Sequence, residues 1–185
     1  LKADMHSFTQ VISVFNQCFK DDLQTELVRG GHEPIYIPRS QYYPWDRVVF
    51  AHGYYASALH EISHWSIAGV ERRKLLDFGY WYNPDGRNEK QQQEFAKVEV
   101  KPQALEWILS QSANFRFRVS LDNLHGEISD QAQSAAIFKN EIYAQVQQYL
   151  LQGLPKRAKM FSDALIAKYR PHEPLDLSEF NREEL

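Results

Sequence analysis

A single cysteine, Cys18, in 185 residues leaves no partner for an internal disulfide and no thiolate cluster for zinc. A reducing cytoplasm is the expected setting. No apolar run approaches the roughly 18–20 residues of a membrane span, so no membrane partner is expected. The opening Leu1-Lys2-Ala3-Asp4-Met5 lacks the apolar centre of a signal peptide. Net charge is −3 and the pI is near 6.2, which excludes a general basic surface for nucleic acid. Internal repeats and Pro/Gly-rich linkers are also missing. What is present is 43% hydrophobic and 14% aromatic residues, enough for a packed core in a chain of this length.

The pattern reads as one helix-rich α+β domain with a small sheet over residues 1–185. Val11, Ile12, Phe15 and Phe19 recur at helical spacing after Ser7, a suitable N-cap. Pro34–Pro38 is a short extended piece, and Arg47–Ala51 is a strand-like apolar run that His52-Gly53 turns into a helix ending at Gly69. Leu75–Tyr82 is extended and aromatic, closed by the turn Asn83-Pro84-Asp85-Gly86. Residues 88–113 are helical in composition, with Pro102 either kinking one helix or starting a second. Phe115–Leu121 alternates as a strand does. A helix over 130–152 carries a stripe of Ala136, Ile137, Ile142, Val146, Tyr149 and Leu150, and another follows over 156–169. Residues 170–185 are expected to be a peripheral tail.

Against this background stands His60-Glu61-Ile62-Ser63-His64. Two histidines four apart lie on nearly one helix face, where both imidazoles can grip one divalent ion with Glu61 beside it. At least one more protein ligand is needed. Glu99 is the leading candidate, beside Phe95, Val98 and Leu105, which are expected to form an inward-looking face; Glu94 and Glu106 remain open on spacing alone. Two histidines and a carboxylate serve two chemistries: zinc-activated water with Glu61 as base, or dioxygen activation at ferrous iron. A rival set, His125, Glu127 and His172, needs a strand-rich jelly roll that this sequence does not offer. His52 reads as a turn residue. Asp77, Asp85, Asp122 and Glu127 sit in turns or at strand ends, where they could receive a cationic group. Tyr80, Trp81 and Tyr82 could wall it.

The run from Arg47 to Arg87 is similar to the bacterial elongation factor P hydroxylases. It includes Val48-Val49-Phe50-Ala51-His52-Gly53-Tyr54-Tyr55, His60-Glu61-Ile62-Ser63-His64-Trp65, Asp77-Phe78-Gly79-Tyr80-Trp81-Tyr82 and Pro84-Asp85-Gly86-Arg87. The likeness continues through Val98-Glu99-Val100-Lys101-Pro102-Gln103-Ala104-Leu105 and covers most of residues 10–170. The resemblance implies a metalloprotease-like core around the H-E-x-x-H helix. It also implies a monooxygenase that hydroxylates a lysine of elongation factor P already bearing a β-lysyl group. His60, His64 and Glu99 would hold the metal, expected to be Fe(II), with dioxygen as co-substrate; nothing in the resemblance assigns 2-oxoglutarate. Glu61 would move to a supporting or acid–base role. The long cationic substrate calls for acidic and aromatic walls, for which Asp77, Tyr82 and Asp85 are the candidates. A monomer is expected. The alternative is a zinc peptidase or amidase with Glu61 as general base.

Overall fold

A computed structural model describes residues 6–77, 89–121 and 128–185, and the side chains within them apart from those at 89–93, 95 and 128–130. Tyr80, Trp81, Tyr82, Asp85, Asp122, His125 and Glu127 therefore lie outside the described residues.

Helix α1, Phe8–Phe19, follows Ser7 as expected and buries Val11, Val14, Phe15 and Phe19. Strand β1, Thr25–Arg29, comes next; the sequence reading had not picked it out. Its apolar pair Leu27-Val28 sits between charged Glu26 and Arg29, so no alternation announces it. Strands β2, Ile35–Ile37, and β3, Asp46–Phe50, complete a sheet ordered β1-β3-β2. Strand β3 runs parallel to β1, with Leu27 opposite Val48, and antiparallel to β2, with Tyr36 opposite Val48. Gly30 permits the close approach of β1 to β3: a Cβ there would stand 2.5 Å from Val49 Cγ1.

At the end of β3 the chain reverses through His52 and Gly53, both in left-handed conformation at φ 59 and 70. It then enters helix α2, Tyr55–Ile67. One face of α2 buries Leu59, Ile62 and Trp65, and the other presents His60, Glu61 and His64. Helix α3, Glu89–Ser112, is one continuous helix through Pro102, so the second-helix option fails. The Val98 carbonyl loses its donor there, since proline has no N–H, and Val98 is 53% exposed. That exposure also corrects the expectation that Val98 faces inward.

Helices α4, Ile128–Gln152, and α5, Lys156–Tyr169, match the expected spans. The α4 stripe is shifted, however. Phe138, Ile142 and Val146 are buried, whereas Ala136 and Ile137 are exposed.

Two apolar clusters share α3. The first joins α1, the sheet, α2 and α5 around Phe15, Phe50, Ile62 and Phe161, with Leu109 and Ala113 of α3. The second joins Ala104, Trp107 and Ile108 of α3 to Phe117, α4 and Phe180.

One expectation is corrected in this second cluster. Phe115–Leu121 is extended but forms no strand. Its alternation is real, because Phe117 stacks on Trp107 while Arg116 and Arg118 face solvent. The partner is a side chain: the Gln103 amide donates to the Ser120 carbonyl at 3.1 Å and accepts from its N–H at 3.0 Å. The tail, expected to be peripheral, is anchored at two points. Phe180 packs edge-on against Trp107, 2% exposed, and buried Arg170 pairs with Glu179 at 2.7 Å. None of the described helices is long and apolar enough to cross a membrane.

Candidate metal centre

Helix α2 supplies two candidate donors one turn apart, and α3 crosses it to supply a third. His60 Nε2 and His64 Nε2 lie 3.1 Å apart. Glu99, 1% exposed, places Oε1 at 3.3 Å from His64 Nε2 and Oε2 at 3.9 Å from His60 Nε2. One donor atom from each residue thus falls within 4.8 Å of the others. Donors bonded to one ion at about 2.0–2.2 Å stand roughly 3–3.5 Å apart, so the observed spacing suits a shared cation. A second observation agrees: Glu99 Oε1 is buried and accepts no well-aligned hydrogen bond. A buried carboxylate oxygen left this way is costly unless a cation meets it.

The electrostatics point the same way. Glu61, Glu99 and Glu106 crowd two imidazoles. Burial pushes the Glu61 carboxyl up to about 7, reinforced by Glu99, Glu106 and Asp77 and opposed by His60. Burial resists protonation of His60, but Glu106, Glu61 and Glu99 outweigh it and carry the ring up to about 10. Burial lowers the pKa of His64. Glu99 stays below the usual carboxylate value: burial would raise it, yet the adjacent imidazoles of His64 and His60 prevail. Three carboxylates against two imidazoles form a cluster that requires positive charge, as a proton or as a metal ion.

Beside the triad opens a narrow cleft, lined by Glu61 and His64, by apolar Ile35, Val48 and Trp65, and by Tyr36, Arg72 and Asp77. Asp77 is fixed from two sides. Its backbone pairs with Tyr36, through Tyr36 N–H to Asp77 O at 2.6 Å and the reverse bond at 3.0 Å. Its carboxylate meets Arg72 Nε at 2.5 Å. Arg157 of α5 closes the far end of α2, stacking over Trp65 and donating to the carbonyls of Trp65 and Ala68 at 2.7 and 2.6 Å.

The structure therefore brings together His60, Glu61, His64, Glu99 and Asp77. Glu94 is exposed, and His172 is an exposed tail residue at φ 69. His52 is a turn residue, exposed, with its ring near those of His32 and Tyr54. Glu106, which spacing had left open as a ligand, lies instead on the outer edge of His60, its Oε2 2.7 Å from Nδ1. Its signal was available: Glu99 and Glu106 are seven residues apart, two turns on one helix face.

The elongation factor P hydroxylase family profile matches residues 14–180. Over 176 residues the chain is 51% identical to the elongation factor P lysine hydroxylase of Haemophilus influenzae, an alignment that covers 95% of this chain and 97% of that protein.

Proposed function

Because the chain belongs to the elongation factor P hydroxylase family, we propose that it hydroxylates the β-lysylated lysine of elongation factor P at a ferrous centre held by His60, His64 and Glu99. The observation that carries this reading is the convergence of two imidazole nitrogens on the buried Glu99 carboxylate. The net reaction inserts one oxygen atom of dioxygen into a C–H bond, with a two-electron donor balancing the second atom. Bound there, Fe(II) would supply the dioxygen activation that an unactivated C–H bond requires and that redox-inert zinc lacks.

The chain's own residues do the rest. The cleft beside the triad has apolar walls, Ile35, Val48 and Trp65, for the methylenes of a lysine-like chain, and Asp77 for an ammonium group. Pinned by Tyr36 and Arg72, Asp77 holds its position without spending the substrate's binding energy on ordering. Tyr82 and Asp85, outside the described residues, are the further candidates for that wall. Glu61 lines the same cleft beside the triad and is placed to hold or pass a proton at the site's edge. The hydrolytic alternative loses its support once the family is known. An H-E-x-x-H helix beside a small sheet keeps the metalloprotease-like arrangement of the core as part of this reading.

The test is anaerobic reconstitution with Fe(II) or Zn(II), then air and intact-mass analysis of β-lysylated factor. A one-oxygen gain is expected with iron alone; full activity in the zinc-loaded enzyme would contradict the oxygenase reading.

A further inference from the structure

Glu106 is a buried carboxylate, 8% exposed, on the same face of α3 as Glu99. The two address opposite edges of His60. Glu99 faces Nε2, on the side of His64, whereas Glu106 Oε2 lies 2.7 Å from Nδ1. An imidazole presents its nitrogens in divergent directions, so a carboxylate bonded at Nδ1 is turned away from an ion bound at Nε2. Glu106 is thus placed to act on the ring without joining the ligand set.

We propose that Glu106 is a positioning residue: it accepts the Nδ1–H of His60 and so fixes the ring with the Nε2 lone pair aimed between His64 and Glu99. The inference rests on the metal-binding reading of His60, His64 and Glu99. A neutral imidazole carries one N–H, and holding it on Nδ1 leaves Nε2 as the donor to metal. Helix α2 cannot make this choice alone, because the acceptor comes from α3. The docking of the two helices therefore sets the tautomer as well as the third ligand. A carboxylate on a ligating histidine also raises the basicity of the ring, and loss of such a partner weakens metal binding about 10–100-fold.

Zinc serves as the probe, since it is diamagnetic and accepts the same donor types. Competition against a chromophoric chelator measures zinc affinity in the wild type, Glu106→Gln, Glu106→Ala and His60→Ala. Long-range ¹⁵N–¹H spectra of the zinc-loaded protein show which ring nitrogen of His60 carries the proton. The expected spectrum has zinc on Nε2 and the proton on Nδ1. Glu106→Ala should weaken zinc by about 10–100-fold, and Glu106→Gln, which keeps an acceptor, by less than about tenfold. If Glu106→Ala does not fold, Glu106→Gln and the wild-type spectrum decide: an unbonded Nδ1–H, or ligation through Nδ1, overturns the proposal. It is equally overturned if both Glu106 variants bind zinc as the wild type does while His60→Ala loses it. Unchanged affinity in His60→Ala would instead remove the metal-binding reading beneath it.

Discussion

Helices α2 and α3 build one site by different means. Helix α2 is short, with a buried face of Leu59, Ile62 and Trp65, and it carries both histidines at a spacing that a helix alone converts into proximity. Helix α3 is long, polar over much of its length and carries Pro102 in its interior, and its carboxylates matter only because it lies across α2. His60 and His64 are one turn apart in any helix, whereas Glu99 reaches His64 across 35 positions of chain. A site half coded by local period and half by tertiary docking should be equally sensitive to both halves, though only one advertises itself.

The largest effect that could break this comparison is on metal affinity. Glu99→Ala should weaken metal binding as severely as His60→Ala, on the order of 100-fold or more, since three ligands leave none in reserve. Isothermal titration of the apo-proteins checks it. A mild Glu99→Ala effect would make α2 sufficient and α3 incidental.

Next comes the packing that seats each helix in the fold. Ile62 of α2 and Ile108 of α3 are both fully buried, in different apolar clusters. Truncating either to Ala should cost about 2–5 kcal/mol, read by denaturant unfolding. Similar losses would show that α3, despite its polar sequence, is as firmly built into the fold as α2.

A smaller, pH-dependent effect concerns how each helix is anchored. The end of α2 is tied by Arg157, and that of α3 by the tail: Glu179 accepts from Gln111 at 3.0 Å and pairs with Arg170, which donates to the Gln111 carbonyl. Burial would raise the Glu179 pKa, but bonds from Arg170 and Gln111 hold it below the usual carboxylate value. A folded-state pKa below the unfolded one stabilises the protein above the unfolded pKa, and this stabilisation fades as pH falls through the folded value. Glu179→Gln should therefore cost about 1–3 kcal/mol at neutral pH. The difference from the wild type should shrink below about pH 4.5, where the unfolded carboxyl begins to protonate. Urea unfolding at several pH values measures it.

The same division explains what the sequence disclosed. Helices α1 and α4 were legible because their apolar residues recur over several turns, α3 because of its composition, and His60 and His64 because their spacing is the helix's own. Strand β1 was not, since its five residues are too few and too charged to display a period. Phe115–Leu121 misled because burial alternates along any extended segment laid on a surface, and Gln103 takes the place of a neighbouring strand. The acidic composition of the tail gave no sign of its two anchors, Glu179 and Phe180. Glu99 drew notice for a face that Val98 does not complete. Its place beside His64 depends on a helix crossing that no local pattern encodes.

The central claim is that α2 and α3 jointly hold the ion on which hydroxylation depends. Its most direct test is intact-mass analysis of β-lysylated elongation factor P after incubation with ferrous-loaded wild type, Glu99→Ala and, as an exposed control on the same helix, Glu94→Ala. The account predicts a one-oxygen gain with the wild type and Glu94→Ala and none with Glu99→Ala. A full gain with Glu99→Ala would contradict it.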